Sequence, residues 1–391
     1  MNKEGKINDF VIRFEHVNGD GSASAMIVRR SILLSLFVAV FVLGAFAQGD
    51  GAKRIDPLVA QKMAANHIPS LSVAVMRDGK VVFSKGYGLS NLELSTPATE
   101  TTSFAIFSIT KTFTAVAVMM LVEEGKISID KSITDYLKVL PASWSKVTIR
   151  HLLTHTSGLP ELCDAAAQPC DRADDYTQSQ VIGFVRESPF LFGPGTRWEY
   201  SNTGFFVLGM LIEKVSGKTY GDFLTARIFT PLGMDRTRME DYSTVIPNRA
   251  SGYTWKNGAY HNALRVSPTL MFSLAGIVST VTDLAKYDAA LYSEKLLRQS
   301  TLKEMWTKVV LNDGTTADQG LGFGMTPYKG HRRVGHSGGH AGFATTITRL
   351  IDDKVSVVIL SNADDEGYAK GSGGFLISDI ANEIASYYFK R

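Results

Sequence analysis

The feature of the sequence that most constrains the fold is a helical run, Ser108–Glu124, that is apolar on nearly all of its sides. A helix without a polar face has no side to present to water, so other parts of the chain must surround it. Gly125 follows the run, at a position where a left-handed residue commonly ends a helix. The sequence therefore predicts a buried central helix inside a layered globular fold.

Segments with strand character lie near both ends of the chain. In each of two places, a pair of such segments flanks a short turn and predicts a β-hairpin. The segments are Ser70–Met76 with Val81–Lys85, and Gly342–Leu350 with Val355–Ser361. Because the pairs are far apart in sequence, the two ends of the chain are expected to build one sheet.

Helices are predicted at Asp56–His67 and Ile377–Phe389, and only helices and loops between Gly125 and about residue 275. This order predicts an α/β (α+β) fold with an antiparallel sheet flanked by helices. Within a catalytic unit of residues 48–391, the α/β part would comprise residues 48–115 and 275–391. A mainly helical part, residues 116–274, would be inserted into it.

The first 47 residues are interpreted as an N-terminal extension followed by a targeting segment. Two arginines precede Ser31–Phe46, which has no charged residue and leads into a small-x-small cleavage signature. These features predict a signal peptide at about residues 26–47, and therefore a secreted or periplasmic protein with no stable membrane span after cleavage. An uncleaved anchor is the alternative, although the apolar run is short for a spanning helix. Translation from Met26 would omit residues 1–25.

Charge and cysteine content narrow the classes of partner. Lys plus Arg is 41 and Asp plus Glu is 38, so the net charge of +3 does not favour a nucleic-acid partner. The only two cysteines are Cys163 and Cys170. In an oxidising compartment we expect them to form a local disulfide, with two free thiols as the alternative. Zinc binding is poorly supported, because structural sites prefer shorter cysteine spacing and four ligands.

Two motifs are considered and not favoured. Gly335–Gly339 matches the G-x-S-x-G nucleophile elbow, but only His340 follows, without the required acid between them. His151 and His155 have the spacing of H-E-x-x-H zinc metalloproteases, but Leu152 stands where the glutamate belongs. A helix end that leads into a turn is the favoured interpretation there.

The S-x-x-K pattern recurs in the chain, and its matches include Ser108–Lys111, Ser128–Lys131 and Ser143–Lys146. Only Ser108 opens the long buried helix, with Lys111 one turn later on the same face. The helix N-terminus places partial positive charge beside the hydroxyl, and a serine needs a base to become a nucleophile. Burial or a neighbouring cation would lower the Lys111 pKa toward that role. The alternative is a solvated lysine, which fits poorly on so apolar a helix.

Two further segments supply complementary groups. Tyr200 could act as a phenolate base if cations lower its pKa, and Asn202 could hold a substrate amide. His336–Gly338 precedes the second predicted hairpin, where small residues let a substrate backbone lie along a strand edge. The backbone N–H of Gly339 could complete an oxyanion hole with that of Ser108.

Taken in order, these motifs resemble the serine β-lactamase and penicillin-binding protein superfamily, in particular its class C β-lactamase-like branch. Further phrases of similar sequence extend the resemblance over Asp56–Tyr388: Glu123–Leu137, Thr148–Pro160, Pro194–Leu208 and Ser273–Asp283. The resemblance implies a β-lactamase/transpeptidase-like fold. It also implies an acyl-enzyme mechanism without a metal or cofactor, acting on a small peptide, ester or β-lactam substrate.

The resemblance also implies a role for each matching residue. Ser108 would be the acylated nucleophile, and Lys111 and Tyr200 would share the proton transfers. The residues implied to bind substrate or its oxyanion are Asn202, His336, Ser337, Gly338 and Gly339.

One departure from the family pattern bears on the substrate. The third motif of β-lactamases is usually Lys-Thr-Gly, and here it is His-Ser-Gly, with a histidine that is mostly neutral near pH 7. Arg332 and Arg333 could supply a cation in its place. Unless they do, the substitution argues against efficient β-lactam hydrolysis and leaves the acyl-serine chemistry intact.

The leading hypothesis is therefore an exported serine hydrolase, a D-amino-acid peptidase or D-Ala-D-Ala carboxypeptidase-like enzyme. An esterase or a class C-like β-lactamase is the alternative within the family. A binding protein that has lost turnover, and a metal-dependent hydrolase that uses His151 and His155, are the alternatives from other classes.

Overall fold

The computed structural model describes residues 49–164, 169–364 and 376–389, and the predicted signal peptide lies outside these ranges. Its strands, in chain order, are β1 (Ser70–Arg77), β2 (Lys80–Asn91), β3 (Thr96–Pro97), β4 (Phe104–Ala105), β5 (Arg238–Met239), β6 (Tyr253–Lys256), β7 (Ala259–Asn262), β8 (Ile277–Ser279), β9 (Arg333–His340), β10 (Phe343–Leu350) and β11 (Val355–Ser361). Six of them form the main sheet, in the order β3-β2-β1-β11-β10-β9.

Strands from the two ends of the chain pair directly at the centre of this sheet. β1 is antiparallel to β11, with Leu71 opposite Ser361 and Arg77 opposite Val355. The hairpins β1–β2 and β10–β11 flank this central pair. The predicted antiparallel sheet built from both ends of the chain is therefore confirmed.

The helices, in chain order, are α1 (Gly49–Ala65), α2 (Thr110–Glu123), α3 (Ile133–Tyr136), α4 (Ile149–Leu153), α5 (Gln178–Gly183), α6 (Asn202–Ser216), α7 (Tyr220–Leu224), α8 (Thr230–Leu232), α9 (Pro268–Ala275), α10 (Val281–Ala290), α11 (Gln299–Met305) and α12 (Leu376–Ser386). They cover both faces of the main sheet. On one face, Val73 and Val75 of β1 pack in a cluster with α1 and α12. On the other face, Ala74 and Met76 join the cluster that contains α2. This alternation is the period of two that a strand requires.

The central helix is buried as predicted, but it begins differently. Every residue of α2 from Thr110 to Leu121 is buried, and Gly125 after its end has φ +69°. Ser108 lies in a preceding 3₁₀ turn, Phe107–Ile109, rather than in the first α-helical turn. The Ile109 N–H donates to the Ile106 carbonyl three residues back, which tightens the chain before α2.

The middle of the chain contains short strands that the sequence analysis did not predict. β5 pairs with β8, and β6 and β7 form a small hairpin. The hairpin turns at Asn257 and Gly258, whose φ angles are +53° and +78°. Asn-Gly between strands is a strong hairpin signal, so this element was detectable in the sequence.

One continuous cluster of buried apolar side chains joins the sheet to the helical region, from Met76 and Leu360 to Phe206 and Leu211. The described residues from Asp50 onward form one compact unit. The predicted subdivision of that unit into an α/β part and a helical part stays a prediction. In the ranges given above, no helix has both the length and the apolar character that crossing a membrane requires.

Candidate active site

The hydroxyl of Ser108 is the meeting point of two side chains from different parts of the chain. Lys111 Nζ lies 3.1 Å from Ser108 Oγ, and the Tyr200 hydroxyl donates to the same oxygen at 2.9 Å. The 3₁₀ turn and the start of α2 hold Ser108 and Lys111 one turn apart. Tyr200 arrives on the segment that leads into α6. Ser108 therefore has two candidate proton-transfer partners within hydrogen-bonding distance.

Lys111 is the most strongly perturbed group of the site. Its side chain is completely buried, and Nζ donates to the Asn202 side-chain oxygen and the Leu274 carbonyl, each at 2.9 Å. Burial lowers the pKa of Lys111 from 10.5 to about 7, while the nearby Glu161 carboxylate acts in the opposite direction. A substantial fraction of the amine is therefore neutral near pH 7. A neutral amine keeps two N–H groups and offers its lone pair to the Ser108 proton.

Tyr200 differs from the phenolate that the sequence suggested. Burial of the hydroxyl raises the pKa of Tyr200 well above its usual value, although Lys111 Nζ lies 4.9 Å from the ring centroid. In this state Tyr200 is a neutral phenol that donates to Ser108. Tyr200 can give up its proton only if another group supplies a new one. It therefore suits the role of proton donor or relay better than that of resting base.

Asn202 is held by a residue that the sequence analysis did not identify. One carboxylate oxygen of Glu161 accepts from the Asn202 backbone N–H at 2.7 Å, and the other accepts from the Cys163 N–H at 3.3 Å. Burial raises the pKa of Glu161. No local pattern marks this glutamate, because its partner lies 41 residues away in the chain.

The cysteine pair lies beside the same groups. A disulfide joins Cys163 and Cys170, and the Asn202 amide nitrogen contacts Cys163 Sγ at 3.5 Å. At the other end of the disulfide, a ring nitrogen of His340 is 3.1 Å from the Cys170 carbonyl oxygen. The cysteines therefore connect the Asn202 side of the site with the end of β9.

The third motif lies within an edge strand, not before a strand as predicted. His336, Ser337 and Gly338 belong to β9, and the outward N–H and C=O of Gly335 pair with Gly324. Hydrogen-bonding direction alternates along an antiparallel strand, so the backbone groups of Ser337 and Gly339 face the same outer side as those of Gly335. This orientation suits the Gly339 N–H for a role beside Ser108.

Gly338 is the point of closest approach between β9 and the serine. A Cβ atom placed there would lie 2.3 Å from the Ile106 carbonyl oxygen and 2.8 Å from the Ser108 backbone nitrogen. Both contacts are with backbone atoms, which cannot rotate away. Thr345 also donates to the Ile106 and Gly338 carbonyls, at 2.9 and 3.1 Å. The chain thus needs a residue without a side chain at position 338.

His336 brings no permanent positive charge to the site. Burial and the neighbouring Lys111 lower its pKa to about 4. Its Nδ1 lies 2.6 Å from the Ser337 carbonyl, which can only accept, so Nδ1 carries the proton. The two candidate replacements bind elsewhere: Arg332 to Asp352, and Arg333 to the Thr326 carbonyl and to Asn382.

The nucleophile elbow and the two-histidine motif, neither of which the sequence favoured, have other structures here. Gly335–Gly339 is continuous strand, so it cannot make the sharp strand-to-helix turn of a nucleophile elbow. α4 ends at Leu153, and His155 beyond it has φ +57°, so His151 and His155 do not share a helical face. Among the described residues, no cluster of three or more His, Cys, Asp or Glu side chains is arranged to hold a metal ion.

His155 instead supports the segment that carries Tyr200. Its ring is fully buried, and Nδ1 accepts from the Ser201 N–H at 3.0 Å while its carbonyl accepts from the Glu199 N–H at 2.9 Å. The rings of His155 and Tyr200 are 4.5 Å apart. Burial holds the pKa of His155 well below its usual range, so the ring is neutral and packs as an apolar group.

A cavity of about 500 Å³ opens in front of Ser108. Apolar side chains form much of its wall, and the groups described above converge on one side of it. The residues that line it include Phe107, Trp198, Tyr200, Asn202, Met271, Leu274, His336 and Gly339. This space is sufficient for a small peptide or ester.

The family model for β-lactamase matches residues 55–377, which is most of the chain. The chain belongs to the β-lactamase family. Members of this family are serine hydrolases that act on amides, lactams or esters, and this β-lactamase-family protein is an enzyme of that kind. The match also confirms the predicted superfamily and fold.

Individual relatives of this β-lactamase-family enzyme are distant. It is 31% identical to penicillin-binding protein 4* of Bacillus subtilis over 75% of this chain and 68% of that protein. The octameric penicillin-binding protein homologue from Pyrococcus abyssi is 30% identical, with a TM-score of 0.74 over 86% of this chain and 77% of that one. The D-amino acid amidase from Ochrobactrum anthropi SV3 is 26% identical, with a TM-score of 0.74 over 86% of this chain and 98% of that one.

Proposed function

We propose that the protein is an exported hydrolase of D-amino-acid amides or peptides that forms an acyl-enzyme on Ser108. The observation that carries this proposal is the neutral His336 beside an otherwise complete set of Ser108, Lys111, Tyr200 and Asn202. The similarity to a D-amino acid amidase supports the choice of amide substrates.

In the proposed acylation step, Ser108 Oγ attacks the substrate carbonyl carbon. Its proton passes to the neutral amine of Lys111, and the negative charge on the carbonyl oxygen is stabilised by the N–H groups of Ser108 and Gly339. Tyr200 then donates a proton to the leaving nitrogen and is reprotonated through Lys111. The C–N bond breaks, an amine leaves, and the acyl group remains on Ser108.

In the proposed deacylation step, water takes the place of the amine. Tyr200 and Lys111 accept its proton as the oxygen attacks the ester carbonyl, and Ser108 leaves with a proton returned from the same pair. Asn202 orients the acyl chain through its side-chain amide. Its oxygen already accepts from Lys111 and one amide N–H faces Cys163 Sγ, so the other amide N–H is the donor for the substrate.

The substrate preference follows from charge. A β-lactam carries a carboxylate beside the scissile bond, and the described residues at the third motif offer it a neutral imidazole. An amide or ester without that carboxylate does not need a cation at the third motif. We therefore rank amide and ester hydrolysis above β-lactam hydrolysis, and the similarity to a D-amino acid amidase favours amides over esters.

Export is the second part of the proposal. The predicted signal peptide at about residues 26–47 supports a secreted or periplasmic location, as does the disulfide between Cys163 and Cys170. Expression of the full chain followed by N-terminal sequencing of the exported protein tests it. A mature N-terminus close to Gln48 supports export by cleavage, and an intact N-terminus in a membrane fraction contradicts it.

The activity is tested with the purified protein and its Ser108→Ala variant. D- and L-phenylalanine amide, a p-nitrophenyl ester, nitrocefin and a fluorescent penicillin are supplied separately, and intact mass is followed over time. We expect turnover of the D-amide and an acyl adduct on Ser108, both absent from Ser108→Ala. Faster nitrocefin hydrolysis would identify a β-lactamase, and ester turnover alone an esterase. Wild-type turnover by Ser108→Ala would overturn the mechanism.

A further inference from the structure

A second cavity, of about 480 Å³, adjoins the active-site cavity and has no role in the mechanism proposed above. The two cavities share Phe107, Met271 and Ala275 as lining residues. Ala341 and Phe343, at the turn from β9 to β10, also line the second cavity. It therefore begins where the edge strand beside Ser108 ends.

The position of this cavity relates it to the acyl side of the scissile bond, not to the leaving group. The leaving group must lie within reach of Tyr200, whose ring is 6.2 Å from that of His336 near the middle of β9. The acyl group then extends away from Tyr200, along β9 toward His340 and Ala341. The second cavity lies in that direction, so its contents would be part of the acyl group.

The cavity combines an apolar floor with a charged rim. Phe107, Met271 and Phe343 are apolar, whereas Arg249 and Arg265 are charged and both contact the Tyr242 ring. Their guanidinium carbons are 4.9 and 5.1 Å from its centroid. Contact with the same aromatic ring favours positions of both guanidinium groups at this part of the cavity.

The charges of the rim do not cancel. Glu240 is the only acid among the described lining residues, and its carboxylate pairs with Arg249 at 2.8 Å. Burial raises the pKa of Glu240, and Arg249 acts in the opposite direction. Arg265 is exposed and stacks on Tyr242, and no described carboxylate lies within ion-pair distance of it. Two arginines and one carboxylate therefore line the cavity, and the neighbouring Asp241 carboxylate, which does not line it, accepts from Ser243 and Thr244.

We propose that this cavity is an acyl subsite that selects acyl chains ending in a carboxylate, with Arg265 as the specificity-determining residue. The apolar floor accommodates the methylene stem, and Arg265 receives the terminal anion, because Arg249 is already paired with Glu240. The inference rests on the proposed acylation of Ser108, because it concerns the acyl group that this step transfers.

Two substrates of equal length test the subsite: glutaryl-D-phenylalanine p-nitroanilide, which ends in a carboxylate, and its neutral terminal-amide analogue. Release of p-nitroaniline gives kcat/KM for each. We expect the wild-type enzyme to favour the acid about threefold to tenfold, as an exposed ion pair allows. Arg265→Gln should remove this preference, and Arg265→Glu should reverse it. High salt should also reduce it, because the cation is exposed.

Arg186→Gln is the matched control, because Arg186 is an exposed arginine on another part of the chain, paired with its neighbour Glu187. It should leave the acid-to-amide ratio at the wild-type value. Thermal melting of each variant checks that it is folded. A direct readout is calorimetric binding of glutaryl-D-phenylalanine amide to Ser108→Ala, which should weaken when Arg265→Gln is added.

The outcomes separate the two proposals. If wild-type enzyme hydrolyses both anilides with a ratio that neither Arg265 variant changes, the anionic subsite is wrong and the proposed function stands. If wild type forms no Ser108 adduct with any substrate and hydrolyses neither anilide, the proposed function fails and the subsite with it. A preference for the neutral anilide in wild type also overturns the subsite.

Discussion

Ser108–Lys111 and Ser128–Lys131 have the same S-x-x-K pattern in one chain but lie in opposite surroundings. Lys111 is completely buried and has three acceptors around Nζ. Both Ser128 and Lys131 are exposed. The third match, Ser143–Lys146, also has both side chains exposed.

The difference shows what the pattern supplies and what the surroundings supply. A spacing of three residues brings a lysine near a serine in any helical turn. It does not lower the lysine pKa, because an exposed ammonium keeps its hydration. Packing of the main sheet, α6 and α9 around α2 removes that water from Lys111 alone. Burial, not the motif, prepares the base.

The largest expected effect comes from removing the lysine in each setting. Lys111→Ala should lower kcat/KM about a thousandfold, because general-base assistance by a positioned side chain is worth about 10²–10⁴. Lys131→Ala and Lys146→Ala should leave kcat/KM unchanged. Steady-state kinetics on the D-amide checks all three variants. Comparable losses in the exposed-lysine variants would show that burial is not what distinguishes the three sites.

The second prediction concerns the strand that lies against Ser108. Gly338→Ala should lower kcat/KM about a hundredfold, because its Cβ would push β9 away from the Ile106 carbonyl and the Ser108 nitrogen. Gly183→Ala is the control, because nothing lies within 4 Å of a Cβ at that position. If Gly338→Ala retained full activity, the close approach of β9 to Ser108 would not matter for catalysis.

The third prediction is a pH dependence of stability that the buried Lys111 causes and the exposed Lys131 does not. The pKa of Lys111 is about 7 in the folded protein and near 10.5 when unfolded, so between these values the unfolded chain binds more protons. Burial of Lys111 therefore lowers the free energy of unfolding by its full amount below pH 7. This destabilisation disappears as the pH rises toward 10.5. Between pH 7 and 9, the free energy of unfolding of the wild type should rise by about 2 kcal/mol relative to that of Lys111→Met.

Urea unfolding of the two proteins at each pH measures this difference. Lys131→Met, compared with wild type in the same way, should show no such change. A wild-type minus Lys111→Met difference that stays constant over this range would mean that the folded lysine keeps an ordinary pKa.

The smallest expected effect is a shift in the pH–rate profile. The Glu161 carboxylate raises the pKa of Lys111, so Glu161→Gln should move the acidic limb of kcat/KM to lower pH, by less than about one unit. Glu187→Gln, on an exposed residue, should leave the limb in place. A shift to higher pH would show that the carboxylate does not act on Lys111 through its charge.

Several features of the site were readable from the sequence because they are local. Ser108 and Lys111 belong to one helical turn, and Tyr200 and Asn202 are two residues apart. Glu161 was not readable, because it acts through a contact with Asn202 across 41 residues. The state of Tyr200 was not readable either, because a phenolate required a lowered pKa and burial in the folded protein raises it.

The fold likewise has parts that the sequence predicted and a part that it did not. The buried α2 and the two terminal hairpins followed from hydrophobic pattern, which each segment carries in itself. The position of the third motif inside β9 did not, because a glycine-rich strand has little pattern and depends on its pairing with β10.

The sequence by itself determined which residues could react: a serine and a lysine one turn apart, a Y-x-N segment, and a histidine in place of a third-motif cation. The tertiary structure alone decided their chemical state. A pKa depends on how much water surrounds a group, and the atoms that exclude water from Lys111 come from distant segments, including Leu274, which is 163 residues away. Spacing along the chain is covalent, whereas desolvation exists only after the chain has folded.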